Sequence, residues 1–321
     1  MQIATAIVVV IFVFLSGRND GGPLLALPMQ SERRIWVPVL FLYVAVPTVV
    51  IFGFNKVALG LEKLIAPAVE ADGTGTSILV TLVAVLVTLA LSTILNAPNS
   101  ITLALIGSLA GVALGAGGEV PWHSLLRVVG LGLAAPFVAA LLGYLIRAVQ
   151  LRTPFGFAYR RRGRRIALRL GYFILLYAYA TNDGQKVLFA TSLALGVSVQ
   201  QATDQKWWIL ASALVFTLGA LDGAVNSGRF LRHGIARPNP GALVITEYAA
   251  GASVLAGSLT GAPLSMTQSI SGALAGTALA VSPRDVYWGG VRRIGVTWLW
   301  TLPFAALVAY LLSLLAGWVV G

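Results

Sequence analysis

A chain of 321 residues in which 58% of side chains are hydrophobic and 10% charged, with a mean hydropathy of +0.87, is not a water-soluble globule. The absence of cysteine removes disulfides, thiolate chemistry and cysteine metal sites. The net charge of +11 falls in clusters between apolar runs, a membrane-topology pattern that excludes nucleic acid as a partner, the run Arg160-Arg161-Arg162-Gly163-Arg164-Arg165 included.

Apolar runs of roughly 17–25 residues, enough to cross about 30 Å of hydrocarbon, recur from end to end. They lack the alternation of barrel strands and so predict helices. The expected segments are 2–17, 35–54, 76–95, 101–117 and 126–146, then 166–199, 207–221, 242–260, 268–281 and 294–317. Residues 3–15 have the length of a signal-peptide core, but their charges follow them, which predicts part of the mature fold. Segments 101–117 and 268–281 are short and glycine-rich, as re-entrant pieces are. Segment 166–199 is long and interrupted by polar residues, as two half-helices would be.

Basic clusters fix an orientation. Arg33-Arg34, the eight arginines from Arg147 to Arg169, Arg229, Arg232 and Arg237, and Arg284, Arg292 and Arg293 all fall on one side, taken as cytoplasmic. On that count residues 55–75, 118–125 and 200–206 are loops on the other side. Two halves result: a first membrane repeat over 1–147, a basic cytoplasmic linker over 148–165, and a second repeat over 166–321. Five crossings per half is an odd number, so the second repeat is inverted. The expected fold is an all-α polytopic membrane protein of two inverted-topology repeats with broken or re-entrant helices.

Sequence motifs support the duplication. Ser16-Gly17-Arg18-Asn19-Asp20 returns as Ala180-Thr181-Asn182-Asp183-Gly184-Gln185-Lys186, with the Asn-Asp pair 163 residues on. Asn96-Ala97-Pro98-Asn99-Ser100-Ile101-Thr102 returns as Gly261-Ala262-Pro263-Leu264-Ser265-Met266-Thr267, 165 residues on. Ile106-Gly107-Ser108-Leu109-Ala110-Gly111 and Ser271-Gly272-Ala273-Leu274-Ala275-Gly276 keep the same offset and line one helix face with small residues.

A carboxylate in apolar surroundings is expensive unless it is paired or holds a cation. Asp20 and Asp183, each beside an amide (Asn19, Asn182), are therefore candidate cation ligands or proton carriers. A helix cap or interfacial turn is the plainer alternative for Asp20. Ser100 with Thr102, and Ser265 with Thr267, stand just after helix breakers. There they either cap a helix or, with the free N–H groups and dipole of two such termini, bind an anion. Gln185 is a candidate ligand, Lys186 a donor to substrate or to a helix break, and Glu247 an ion-pathway residue or the partner of a cytoplasmic arginine. His123 and His233 lack metal-ligand spacing, and Trp207-Trp208 and Tyr287-Trp288 read as interfacial anchors. No nucleophile–base pair or phosphate-binding loop is present, so the chain does not read as an enzyme.

These motifs resemble those of the inorganic phosphate transporter (PiT) family. Ala180–Lys186 is similar to that family's Gly-Ala-Asn-Asp-Ala-Gln-Lys, and Gly261–Gln268 to its Gly-x-Pro-Val-Ser-Thr-Thr-His. Gly17–Asp20 and Pro98–Leu103 match the first-half copies, and Trp298–Pro303 a tryptophan–threonine–proline segment. The chain departs from the pattern at Pro23, at Ile101 and Met266 in place of threonine, and at Leu103 and Gln268 in place of histidine. The resemblance implies a plasma-membrane symporter of inorganic phosphate, or a similar oxyanion, driven by Na⁺ or H⁺ with no other cofactor. Asn19, Asp20, Asn182 and Asp183 would hold the cation, with Asp20 and Asp183 as metal ligands. Gln185, Ser100, Thr102, Ser265 and Thr267 would surround the anion. A membrane scaffold or sensor that has lost transport is the other reading the departures leave open, as is a homo-oligomer in the bilayer.

Overall fold

The structure is a computed structural model that describes residues 2–29, 36–72, 75–94, 100–152, 161–230, 234–236 and 240–320. Arg33, Arg34, Arg160, Arg232, Arg237, His233 and the motif residues Asn96–Asn99 lie outside them. The described elements are helical apart from one isolated bridge between Ala236 and Val286. Helices satisfy their own backbone groups, which lipid demands.

In chain order, α1 (Gln2–Ser16) runs through a π-helical turn (Gly17–Gly21) into α2 (Gly22–Met29). Next come α3 (Trp36–Ile51), α4 (Lys56–Asp72), α5 (Thr76–Ile94), α6 (Ile101–Gly115) and α7 (Trp122–Arg152). The second half holds α8 (Arg161–Leu195), the short α9 (Val199–Ala202), α10 (Lys206–Phe230), α11 (Pro240–Leu259), α12 (Met266–Leu279) and α13 (Trp288–Val320). Among the described residues five helices are long and apolar enough to cross a membrane, and the α3–α4 pair, bent by 69°, makes a sixth candidate. Outer faces carry exposed Phe137, Leu141 and Leu145 on α7 and Leu299, Leu311 and Leu315 on α13. Such surface suits lipid and not water. Exposed Trp122, Trp207, Trp208 and Trp288 sit at helix starts, where interfacial anchoring places them.

Two expectations change. Residues 55–75 are not a loop: most of them form α4, whose apolar stripe of Val57, Leu61, Leu64, Ile65 and Ala68 is buried while Lys56, Lys63 and Glu70 face out. The scattered charges lower the average hydropathy although the helical period is intact. Gly53, at φ 89°, makes the tight turn between α3 and α4. The second change concerns α8, which is one unbroken helix of 35 residues through Asn182-Asp183. Its polar residues face inward and find partners there, so the backbone need not open.

The two glycine-rich segments form short helices: α6 and α12 contain 15 and 14 residues, about 21–23 Å at 1.5 Å per residue and so shorter than the hydrocarbon core. Their small-residue faces have matching uses. A Cβ on Gly107 or Gly111 would strike the carbonyls of Leu302 or Ala306 in α13, and one on Gly272 or Gly276 those of Pro136 or Ala140 in α7. Each short helix thus rests on the long last helix of the other half. The two copies of the Asn-Asp motif follow the same exchange, Gly17 of the first lying on the Phe216 carbonyl of α10 and Gly184 of the second against Val46 of α3.

Gly276→Ala is expected to destabilise the detergent-solubilised protein by about 1–3 kcal/mol through overpacking. Gly295→Ala, which meets open space, should leave stability unchanged. Thermal unfolding followed by size-exclusion chromatography distinguishes them, and equal effects would refute the packing account.

Candidate functional site

The π turn has a local cause and a consequence. Gly22 N–H reaches back to the Gly17 carbonyl, and the widened turn buries Asp20 while Arg18 turns outward to Asp222 at 3.1 Å. Such turns are frequent at functional sites. Asn19 donates its amide to Asp20 Oδ1 at 3.2 Å.

On α8, Tyr179, Asn182, Asp183 and Lys186 follow the i, i+3, i+4, i+7 spacing of one face, and all are buried. The N-termini of α6 and α12 meet this face. Ser100 and Ser265 adopt extended backbone and cap them, accepting from Leu103 N at 3.3 Å and Gln268 N at 3.5 Å. Thr102 donates to the Leu264 carbonyl at 3.2 Å. Leu264 N donates to Asn182 Oδ1 at 3.3 Å, and Thr267 donates to the Asn19 carbonyl at 3.1 Å and to Asp20 Oδ1 at 3.2 Å.

Lys186 occupies the centre. Its Nζ donates to Thr102 Oγ1 at 2.6 Å, to the Leu264 carbonyl at 2.8 Å and to Asp183 Oδ1, which uses all three ammonium protons. Asp20 Oδ2 stands 3.8 Å from the same nitrogen as a charge partner. Two carboxylates and one ammonium leave one negative charge in excess. The two helix N-termini, each worth roughly half a positive charge, offset about that much. Among the described residues no group of three or more histidine, cysteine or carboxylate side chains could join a metal ion here or elsewhere.

Of the residues singled out from sequence, Asn19, Asp20, Asn182, Asp183, Thr102 and Thr267 converge on this centre, and Ser100 and Ser265 cap the helices that point at it. Gln185 sits apart from them. Its Oε1 accepts from Val57 N at 2.7 Å and its Nε2 donates to the Thr181 carbonyl, which pins the start of α4 to α8. Glu247 is buried on α11 against Gly171, 12 residues before Asp183 on α8 and so about 18 Å along that helix.

The structure adds Tyr179 and Ser269, and draws in Gln268, which the motif named only as a departure. Buried atoms without a hydrogen bond include Asp20 Oδ2, Asp183 Oδ2, Asn182 Nδ2, both amide atoms of Gln268, Ser269 Oγ and the Tyr179 hydroxyl. Each such orphan costs on the order of 1–3 kcal/mol, and those of Asp20, Asp183 and Asn182 fall within the Lys186 cluster, as a ligand site would have them. Tyr179 was legible as the fourth residue before Asp183, on one helix face, and Gln268 as the third after the Ser265 cap.

Membrane-length helices around a buried ion cluster, with two short helices ending there, are the architecture of secondary transporters. A family model described as "Phosphate transporter family" matches residues 165–309. A Mycobacterium bovis protein named "Probable low-affinity inorganic phosphate transporter" is 32% identical over 230 residues, covering 68% of this chain and 54% of that protein. The chain thus spans about half the length of this relative. A Mycobacterium leprae protein of the same name is 28% identical over 334 residues, covering 99% and 80%. Among solved structures, "The sodium-dependent phosphate transporter" shares the fold with a TM-score of 0.77 over 99% of both chains, at 15% identity. These matches make the second half of the chain similar to phosphate transporters in sequence, and the whole chain similar to one in fold.

Gln185→Leu leaves the Val57 N–H buried without its acceptor and is expected to cost about 1–3 kcal/mol. Asn55→Ala, which removes only an exposed bond to Gln200, should change stability little. Thermal unfolding without added anion reads both. An unchanged Gln185→Leu transition would contradict the anchoring role.

Proposed function

We propose that the chain carries inorganic phosphate into the cell across the plasma membrane, coupled to Na⁺ or H⁺, by alternating access. The observation that carries this reading is the convergence of the α6 and α12 N-termini on the buried Asp20–Lys186–Asp183 cluster. Helix N-termini are built for phosphate. The near balance of charge in the described state supplies the reason for coupling. Phosphate brings between about one and two negative charges at neutral pH, which the cluster has no spare positive charge to meet. A cation or proton entering with it restores the balance, and each ligand then raises affinity for the other.

Asn19, Asp20, Asn182 and Asp183 are the proposed cation-coupling set. Ser100, Thr102, Ser265 and Thr267 are the proposed anion set, joined by the unpaired donors of Asn182, Gln268 and Ser269, while Gln185, expected in that set, anchors α4 to α8 instead. The threonine hydroxyls are bonded across the site, so phosphate has to exchange those bonds for its own. Residues 1–147 and 166–321 act in this reading as inverted repeats. The near-equal motif offsets of 163 and 165 residues, the paired serine caps and the reciprocal seating of α6 on α13 and of α12 on α7 support it.

Reconstituted in liposomes, the protein should accumulate radiolabelled phosphate under an inward Na⁺ or proton gradient. Asp20→Asn and Asp183→Asn should each reduce uptake to the level of empty liposomes. Competition by sulfate and arsenate ranks other oxyanions. Folded protein with no uptake under either gradient, or undiminished uptake by both variants, would falsify the reading.

A further inference from the structure

We propose that Lys186 is a tethered counter-ion: in the empty carrier its ammonium holds the position between Asp20 and Asp183 that the coupling cation takes once substrate is bound. The proposal rests on the reading of Asp20 and Asp183 as the cation-coupling pair. Its basis is geometric. The ammonium is 2% exposed and lies between carboxylates from opposite halves of the chain, bonded to Asp183 and 3.8 Å from Asp20. Its remaining protons go to Thr102 and to the Leu264 carbonyl, at the mouths of α6 and α12. The same nitrogen therefore already touches both the cation residues and the anion end of the site. A compact charge on a flexible four-carbon stem can transfer from one to the other without moving α8.

One oxygen of each carboxylate, Asp20 Oδ2 beside the ammonium and Asp183 Oδ2, accepts no hydrogen bond. When the ammonium turns to an arriving anion, both carboxylates lose their positive partner while remaining buried. A hard cation entering that space gains two charged oxygens. While the ammonium stays, the cation is repelled. Lys186 thereby makes cation binding conditional on anion binding, which suppresses leak of the cation through the empty carrier.

The test uses full-length protein in detergent without phosphate, titrated with NaCl against choline chloride at constant ionic strength while the unfolding temperature is followed. The wild type is expected to be indifferent to Na⁺. Lys186→Met should be stabilised by Na⁺ with a midpoint at least about tenfold below any wild-type response, and adding Asp20→Asn should remove that stabilisation. Lys186→Gln serves the same purpose if the methionine variant does not fold. Equal Na⁺ responses in the wild type and a folded Lys186 variant overturn the proposal. If neither variant folds, the wild type decides. Stabilisation by Na⁺ that Asp20→Asn abolishes means ion and ammonium coexist and overturns it, whereas indifference upholds it. Phosphate is absent throughout, so this outcome is independent of whether phosphate uptake is observed in liposomes.

Discussion

A buried ammonium is tolerable in this fold only because every one of its protons has an acceptor and two carboxylates share its charge. Removing such an ion from water costs several kcal/mol unless partners are in place, and the partners of Lys186 come from four separate elements: the π turn, α6, α8 and the approach to α12. The positions of those elements are therefore coupled through one nitrogen atom. The π turn sets Asp20 inward, the serine caps fix where α6 and α12 begin, and the α8 face brings Asp183 and Lys186 together.

Packing elsewhere is of a different kind. The contacts of α6 with α13 and α12 with α7 are close backbone approaches over glycine, without charge and without room for adjustment. Such seams suit rigid bodies. The polar centre instead leaves several donors and acceptors unpaired, so its bonds can be exchanged at modest cost. The proposed transport needs both properties, and they occupy different places: stiff glycine seams between long helices, and an exchangeable polar cluster at the N-termini of α6 and α12.

Much of this was legible in the sequence because repetition carries information that a single segment does not. Asn19-Asp20 and Asn182-Asp183, Ser100 and Ser265, and Gly107 and Gly272 each named the other, and their near-equal offsets of 163 and 165 residues identified the elements that meet at the centre and the seams that seat them. Helix α4 was less legible because Lys56, Lys63 and Glu70 dilute a window average while its buried stripe obeys the helical period. The unbroken course of α8 was hidden because polar residues amid apolar sequence look the same whether a helix opens around them or turns them onto partners. Nor could spacing along the chain reveal that Gln185 faces α4 while Lys186, one residue later, faces Asp20: the partners are 128 and 166 residues away in sequence.

The most direct measurement of the central claim is a cryo-electron microscopy map of the protein in lipid nanodiscs with saturating phosphate. The account predicts a tetrahedral anion between the N-termini of α6 and α12, with the Lys186 ammonium turned toward it and away from Asp20. An anion bound elsewhere, with Lys186 still held between the two carboxylates, would contradict it.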